Sequence, residues 1–245
     1  MNTEEYRIMY SLESTHWWYV GMRKIYASLL NKFYKNLTEL MILDVDCGTG
    51  GMLKYFKKYG SPIGIDVSGD ALYFSLLRGH RRIFHASITH LPFGDKSFNL
   101  ITVLDVICHL QVKDDLQALK ECYRVLKKEG RIIIQVPAYQ VLRSQHDKAV
   151  HTRHRYTKSE LKIKMTHAGF RIEKITYLNT ILFPLIAILR LIGRMINPKN
   201  PSRSDLKPTL TPVNKALISV LTMEAKLLKI INFPFGLSIL CIARK

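Results

Sequence analysis

The chain has 245 residues, of which 47% are hydrophobic and 23% are charged, so its composition is that of an ordinary globular protein and excludes a low-complexity or disordered chain. This length suits one large α/β domain with additions and excludes two catalytic domains of usual size. The net charge is +18, with 19 Lys/Arg against 5 Asp/Glu in residues 141–245 and 18 against 14 in residues 1–140. We therefore expect an acidic partner (nucleic acid, an anionic membrane or a phosphorylated substrate) to meet the C-terminal part, unless the excess is simply solvated lysine.

The cysteine pattern and the N-terminus predict a cytoplasmic protein. Cys47, Cys108, Cys122 and Cys241 show no paired spacing, and reduced thiols pack as small hydrophobes in apolar segments. The first twenty residues are acidic and lack an apolar run, so no signal peptide is visible.

Two helices are predicted at the N-terminus, over residues 4–12 and 15–33. The second contains the aromatic sequence HWWY at residues 16–19. An aromatic cluster so early in the chain favours a cap or lid, which we assign to residues 1–37.

From residue 41 onward, short runs rich in Ile, Val and Leu alternate with helical stretches, which indicates βαβ units and a parallel sheet. Helices are predicted after the first, second, fourth and fifth of these runs. The core domain is expected to cover residues 38–179, and the last strand belongs to residues 234–245. The predicted strands cover residues 41–45, 62–67, 82–87, 98–106, 131–136, 171–178 and 236–243.

An apolar and basic insertion is predicted at residues 180–233. Its first apolar run has about sixteen residues and is interrupted by Pro184, Arg190 and Arg194, whereas a membrane-spanning helix needs about twenty. Its second run has the pattern of an amphipathic helix, with Glu224 on the narrow polar face. We expect either contact with a membrane interface or ordinary packing against the sheet.

The segment LDVDCGTGGML, at residues 43–53, joins a strand to a helix through a glycine-rich turn. Gly48 and Gly50 permit tight turning and close approach of a ligand to the backbone. The N-terminus of the helix that follows favours anions. Asp66 follows about twenty residues later at the end of the next strand, where a carboxylate can accept hydrogen bonds from ribose hydroxyls. The spacing predicts a nucleoside site.

Two further segments, LPFGDKSFNLITVLDVICHL and ECYRVLKKEGRIIIQVPAY, complete a pattern that resembles the class I, methyltransferase type 11-like enzymes over residues 38–179. The resemblance implies a doubly wound, seven-stranded, mostly parallel Rossmann-like α/β sheet with an antiparallel last strand. It also implies S-adenosyl-L-methionine as cofactor, S-adenosyl-L-homocysteine as product, and no metal. The implied cofactor-binding residues are Asp44, Asp46, Cys47, Gly48 and Gly50 near the methionine end, Asp66 and Val67 at the ribose, Ser87 and Ile88 at the adenine, and Leu104.

Two of these positions depart from the family pattern. Asp46 stands where the family has its first glycine, so a carboxylate would repel that of the cofactor unless it points outward or pairs with a base such as Arg23. Ser87 replaces a frequent Asp and is a weaker partner for the adenine amino group. Reduced cofactor affinity is the expectation.

Further segments, including VPAYQVLRSQHDKAVHTRHRYTKSEL, resemble a subgroup of bacterial and archaeal methyltransferases associated with cell-envelope glycan and lipid-linked sugar pathways. A hydroxyl acceptor benefits from a base, which a neutral imidazole supplies near pH 7. Asp147 is expected to orient a histidine or to polarise the acceptor. The candidate catalytic residues are His109, His146, Asp147 and His151. The candidate substrate-binding residues are Trp18, Tyr19, Arg23, Arg155 and Tyr156.

The sequence thus predicts a methyltransferase, peripheral on the inner face of a membrane, that methylates an oxygen of an amphiphilic, lipid-linked or sugar-containing acceptor. RNA methylation is the rival suggested by the charge, although no appended RNA-binding module is visible. A non-catalytic binding or scaffold protein is the rival suggested by Asp46 and Ser87. A dehydrogenase is disfavoured because the glycine turn lacks the G-x-G-x-x-G spacing.

Overall fold

The computed structural model describes residues 3–34, 39–196 and 208–245. A seven-stranded sheet with the order β3-β2-β1-β4-β5-β7-β6 forms its centre, and β7 runs antiparallel to both of its neighbours. The predicted doubly wound fold is therefore confirmed. The strands are β1 Leu40–Val45, β2 Gly60–Asp66, β3 Ile83–His85, β4 Phe98–Leu104, β5 Leu126–Pro137, β6 Arg171–Leu178 and β7 Ser238–Arg244.

Helices cover both faces of this sheet, as the alternation of apolar runs and helical stretches predicts. A single 3₁₀ turn, Gln140–Leu142, follows β5. The helices are α1 Thr3–Leu12, α2 Trp17–Phe33, α3 Gly51–Phe56, α4 Gly69–Leu77, α5 Asp115–Val125, α6 Gln145–Ala149, α7 Lys158–His167, α8 Phe183–Ile196 and α9 Thr211–Leu227.

The central strands are buried because helices lie on both sides of them, which explains their nearly continuous apolar runs. Ile132 and Ile134 in β5 are fully buried, as is Ile101 in the neighbouring β4. Two strands differ in length from the prediction by three residues or more. β5 begins five residues early, at Leu126, while the edge strand β3 pairs with β2 over three residues only.

The N-terminal helix α2 packs along α9 of the insertion. A Cβ at Gly21 would lie 2.2 Å from Cδ1 of Leu221, so the two helices touch at a glycine. The backbone N–H of Trp17 donates to Oδ1 of Asn214 at 2.7 Å. The cap and the insertion, which the sequence treats as separate segments, thus pack on each other; residues 1–2, 35–38 and 197–207 of these segments lie outside the described residues.

The two insertion helices have different surroundings. α9 is packed, and Glu224 is fully buried instead of lying on a polar face, because its carboxylate accepts the backbone N–H groups of Asn179 and Ile181 after β6. The prediction of a solvent-facing Glu224 is therefore wrong. α8 instead exposes large apolar side chains along its described length. Within the described ranges, no helix has both the length and the apolar content needed to cross a bilayer.

Candidate cofactor and acceptor site

The glycine-rich loop after β1 has the left-handed backbone that its sequence suggests. The φ angles are 59° at Asp46, 55° at Gly48 and 82° at Gly50, and Gly50 leads directly into α3. A Cβ at Gly50 would lie 2.6 Å from Oγ of Ser75 and from Cδ2 of His80. The loop therefore requires glycine at this position for both conformation and space.

Asp66 ends β2 and connects the loop to the next turn. Its carboxylate accepts the backbone N–H of Gly48 at 2.9 Å and that of Ser68 at 2.8 Å, and the residue is 2% exposed. Burial, and after it the negative charge of Asp46, raise the pKa of Asp66 to about 7. Contact of this carboxylate with a ribose stays a prediction.

The structure turns Asp46 toward Asp66. The two carboxyl groups share a hydrogen bond, and burial raises the pKa of Asp46 while that bond to Asp66 lowers it. Two such close carboxyls favour one shared proton. Arg23, the suggested partner of Asp46, instead donates to the backbone carbonyls of Glu13 and Ser14, at 2.6 and 3.3 Å.

His109 lies on the other side of Asp46, with 3.4 Å between its Nδ1 and Oδ2 of the carboxylate. Burial lowers the pKa of His109, although nearby Asp105 raises it. A neutral imidazole beside the acidic pair is therefore favoured near pH 7. This is the arrangement expected of a proton acceptor, but its role stays a prediction.

A cleft with about 330 Å³ of open space lies at the carboxyl ends of β1 to β4. Apolar side chains make up much of its wall, as an adenine ring requires. The hydroxyl of Ser87 lies 2.9 Å from that of Thr89. The cleft is lined by Val45, Asp46, Val67, Ala86, Ser87, Ile88, Val106, His109, Gln111 and Val112.

Three other predicted cofactor residues lie around or beneath the loop. Asp44 is buried and accepts the Thr102 hydroxyl at 2.6 Å; burial raises its pKa to about 7. Cys47 packs toward β2, since a Cβ at Gly64 would lie 2.7 Å from its Sγ. Leu104, at the end of β4, packs against the core.

Helix α1 covers the glycine loop. The sequence predicted an N-terminal cap but not its contacts with this loop. The carboxylate of Glu13 accepts the hydroxyl of Thr49 and, at 3.0 Å, a guanidinium N–H of Arg78. Burial raises the pKa of Glu13, against the lowering effect of these partners. A Cβ at Gly51 would collide with the Glu13 carboxylate, so Gly51 was the available signal for this contact.

The predicted residues Trp18 and Tyr19 lie in the first turn of α2. The ring of Trp18 packs on the core and meets Trp17 edge-on, with 5.7 Å between ring centroids. Burial raises the pKa of Tyr19, and the charge of Glu13 raises it further, which places this ring near the glycine loop. Substrate contact by Trp18, Tyr19 or Arg23 stays a prediction.

Asp147 and Arg155 form a buried ion pair in the segment that follows β5. Nε and Nη2 of Arg155 donate to Oδ1 and Oδ2 of Asp147 at 2.7 and 3.1 Å, and Nη1 donates to the carbonyl of Ala138. Burial alone would raise the pKa of Asp147, but the bonds from Arg155 outweigh it and the pKa is lowered. Both residues therefore hold the segment in place, and the structure does not bring Asp147 to a histidine as an orienting carboxylate.

Tyr156 is fully buried. Its hydroxyl donates to Oδ2 of Asp115 at 2.7 Å and to the carbonyl of Ile107 at 3.1 Å. This position favours support of residues 138–157, which we call the acceptor segment, over contact with a substrate. His146 lies in α6, and His151 has a φ of 57° and accepts the N–H of Leu110 through its carbonyl. Catalysis by either histidine stays a prediction.

Sequence reasoning missed Asp105, the first residue after β4. It has a φ of 60°, and its Oδ2 accepts Nε2 of Gln135 at 2.7 Å. The available signal was an acidic residue directly after a central parallel strand, at the edge where doubly wound folds bind ligands.

The comparisons agree with the fold. Residues 43–134 match a family model described as a methyltransferase domain. An uncharacterised protein of Methanocaldococcus jannaschii is 35% identical over 109 residues, which are 44% of this chain and 46% of that protein. A demethylmenaquinone methyltransferase of Thermotoga maritima is 32% identical over 114 residues, 42% of this chain and 49% of its own. The chain thus spans about half the length of the curated relatives it matches.

Solved structures show the same architecture over more of the chain. A putative methyltransferase of Haloferax volcanii, in complex with the Trm112 methyltransferase activator, covers 99% of this chain with a TM-score of 0.63 at 14% identity, over 95% of its own length. Phosphoethanolamine N-methyltransferase 2 of Haemonchus contortus, in complex with S-adenosyl-L-methionine, covers 90% of this chain with a TM-score of 0.57 at 19% identity, over 52% of its own length. At these identities the likeness shows the fold alone.

The residues of the cleft fit S-adenosylmethionine. Asp46 of the glycine loop and Val67, the residue after Asp66, both line the cleft, and the wall beside Ile88 is apolar. In the described ranges we find no cluster of three or more potential metal ligands. The fold is that of class I methyltransferases, and residues 43–134 match the methyltransferase-domain model.

Proposed function

We propose that the protein transfers the methyl group of S-adenosylmethionine to an amphiphilic acceptor at a membrane surface. The observation that carries the proposal is a cleft with an apolar wall at the carboxyl ends of β1 to β4, lined by Asp46 of the glycine loop and by Val67, the residue after Asp66. When bound, the cofactor supplies a methyl group already activated on a sulfonium. The protein then contributes chiefly alignment and exclusion of water.

The charge of the cleft supports a cationic ligand. Asp46 lines the cleft, Asp44 and Asp66 are buried close to it, and Glu13 lies against the loop, although the chain as a whole carries +18. The acidic cleft and the basic outer surface therefore attract ligands of opposite charge. The cleft favours the sulfonium, while the outer surface favours anionic partners.

Helix α1 supports the exclusion of water from this cleft. A Cβ at Gly48 would lie 3.4 Å from Sδ of Met9, and buried Tyr6 hydrogen-bonds to Ser68 in the turn after β2. These contacts cover the loop from the N-terminal side. The helix therefore serves as a lid over the methionine and ribose portions of the cofactor.

Helix α8 supports a membrane-associated acceptor. Leu185, Ile188 and Leu189 are each 55–61% exposed, and Ile192 is 46% exposed, so they form a continuous apolar face that we call the α8 face. Exposed apolar patches of this kind mark interaction surfaces. The net charge of residues 141–245 complements an anionic leaflet. We place the protein on the inner, cytoplasmic face of the membrane.

The same helix is adjacent to the acceptor segment. Ala187 packs with Leu142 of the 3₁₀ turn, and the ring of Phe183 lies 5.9 Å from that of Tyr139. The charge of Arg190 lowers the pKa of Asp147. An acceptor anchored in lipid beneath α8 would thus lie close to the segment that carries His146 and His151.

Two kinds of amphiphile are candidate methyl acceptors. The sequence favours an oxygen of a lipid-linked or sugar-containing molecule, whereas the name of the Thermotoga relative points to demethylmenaquinone. The membrane surface is common to both. RNA, and a non-catalytic scaffold role, are the outcomes that the experiments below separate from these.

Methyl transfer is tested with labelled S-adenosylmethionine and three acceptors: a demethylmenaquinol, a polyprenyl-linked sugar and bulk RNA. Transfer to either lipid supports the proposal, and the position of the label decides between carbon and oxygen. Transfer to RNA alone contradicts it. Absence of cofactor binding at about millimolar concentration supports the scaffold role instead.

Membrane contact is tested by flotation with vesicles that contain an anionic phospholipid, at low salt. We compare the natural chain with Ile188→Gln and Leu189→Gln in the α8 face, and with Leu77→Gln, which is 55% exposed on α4. Loss of flotation in the α8 variants but not in the α4 control is expected. Equal flotation of all variants, or none by the natural chain, would refute the membrane role of α8.

A further inference from the structure

The residue that follows β4 has an unusual backbone. Asp105 has a φ of 60°, a region that residues other than glycine occupy uncommonly, although Asp tolerates it better than most. Its backbone N–H donates to the carbonyl of Gln135 at 2.9 Å, which fixes this turn against β5. Such conformations are retained where the surrounding structure enforces them, and they cluster at functional sites.

One oxygen of the Asp105 carboxylate accepts a hydrogen bond, and the other has no hydrogen-bond partner among the described residues. Tyr26 donates to Oε1 of Gln135 at 2.8 Å, which turns the amide nitrogen of Gln135 toward Oδ2 of Asp105 at 2.7 Å. Oδ1 is buried and has no hydrogen-bond partner among the described residues. A buried acceptor without a partner is costly, so its presence calls for an explanation.

Asp105 lies between the cofactor cleft and the acceptor segment. β4 pairs with β1, so the turn that contains Asp105 adjoins the glycine loop at the same sheet edge. Burial raises the pKa of Asp105, while Gln135, His109 and Arg155 lower it. The titratable or charged side chains that face it are Tyr26 from α2, Cys108 and His109 after β4, and Asp147 and Arg155 from the acceptor segment.

We propose that Asp105 is a catalytic residue whose Oδ1 accepts the proton of the methyl acceptor; this rests on the proposed function. The acceptor's oxygen or carbon bonds to the methyl carbon as the carbon–sulfur bond breaks. The electron pair of that bond stays on sulfur, and the acceptor's proton passes to Oδ1. Gln135 and Tyr26 are positioning residues that keep the carboxylate oriented for this step.

The alternative carboxylate on the acceptor side is Asp147, and its geometry differs. Both of its oxygens accept hydrogen bonds from Arg155, so it has partners where Asp105 lacks one. Substitution of a catalytic carboxylate and of a structural carboxylate has different effects. Replacing a catalytic carboxylate lowers activity and leaves stability unchanged, whereas replacing a structural carboxylate lowers stability.

The test uses the full chain, Asp105→Asn, and the matched control Asp95→Asn, whose carboxylate is largely exposed. Asn keeps the left-handed backbone and the bond from Gln135 but cannot take a proton. We measure S-adenosylhomocysteine binding by calorimetry, methyl transfer to the lipid acceptors named above, and Tm at about pH 8. For Asp105→Asn we expect binding within about threefold, a turnover loss of about 10²–10⁴-fold, and a Tm that is unchanged or raised by about 2–4 °C.

A Tm that falls in Asp105→Asn, or a turnover that stays at the natural level, overturns the inference. If the natural chain binds S-adenosylhomocysteine but methylates neither lipid, the proposed acceptor is wrong, and Tm alone decides: a rise supports a functional carboxylate and a fall refutes it. If the natural chain binds neither cofactor form, the proposed function fails and Asp105 has no proton to accept. Calorimetry therefore separates the two failures.

Discussion

Replacing Asp46 by Asn should stabilise the protein, and only at neutral to alkaline pH. In the natural chain Asp46 and Asp66 share a hydrogen bond that requires a proton. The bond lowers the pKa of Asp46 and raises that of Asp66, so Asp66 is the protonated partner. Asn at position 46 removes the charge there, and its amide can accept from protonated Asp66 or donate to ionised Asp66. The left-handed backbone at this position also suits Asn.

The sign follows from proton linkage. The pKa of Asp66 is raised from 3.8 to about 7 in the folded protein, so the folded state binds more protons than the unfolded state within that window. The free energy of unfolding therefore decreases as pH rises from about 4 to about 7, and the contribution of Asp66 is fully lost above about pH 7. The substitution relieves the part of this loss that comes from the charge of Asp46.

The magnitude follows from the same pKa. One pKa unit corresponds to about 1.4 kcal/mol, so the whole loss at Asp66 is on the order of 4 kcal/mol. Burial is its larger cause and persists in the variant. We therefore expect a gain of about 1–2 kcal/mol at about pH 8, or a Tm rise of about 2–6 °C for a chain of this size, and a smaller gain at about pH 5.

Thermal unfolding at the two pH values, with Asp95→Asn as control, checks this prediction. The control removes an exposed carboxylate paired with Arg124 and should change stability little at either pH. A lower Tm at about pH 8, or a gain that does not depend on pH, would show that the two carboxyls do not share a proton.

Three further substitutions test other parts of the account. Gly21→Val should lower Tm by well over 5 °C, since its side chain would meet Leu221 across the α2–α9 contact; an unchanged melting curve would contradict that packing. Asp147→Ala should lower the free energy of unfolding in urea by about 3–5 kcal/mol, because it leaves buried Arg155 unpaired; a loss below about 1 kcal/mol would argue against a buried pair. Gly50→Ala should lower Tm and weaken S-adenosylhomocysteine binding in calorimetry, because Ala is strained at a φ of 82° and its Cβ would meet Ser75 and His80; retained affinity would argue against a cofactor site at this loop.

Much of the fold was predictable because the central strands are buried on both faces and read as apolar runs. The glycine turn and Asp66 were likewise visible, since their residue types are those that tight turns and ribose recognition require. The edges of the sheet were less predictable. Edge strand β3 is short, and β5 extends back through the charged residues before Arg131, where no apolar pattern announces a strand.

Side-chain partners were the least predictable part of the site. The contacts of Glu13 with Thr49 and of Asp46 with Asp66 join residues that are 36 and 20 positions apart, and nothing local specifies them. The sequence suggested that Asp147 orients a histidine, because it follows one, but in the fold Asp147 forms an ion pair with Arg155. The sequence left membrane contact and ordinary packing both open for α9, because α2, its actual partner, is about 200 residues away along the chain.

Calorimetric titration with S-adenosylmethionine and S-adenosylhomocysteine tests the central claim most directly, because it needs no knowledge of the acceptor. We predict saturable binding of both at one site per chain. Absence of binding by the natural chain at about millimolar ligand, with no rescue in Asp46→Gly, would contradict the claim that this cleft is a cofactor site.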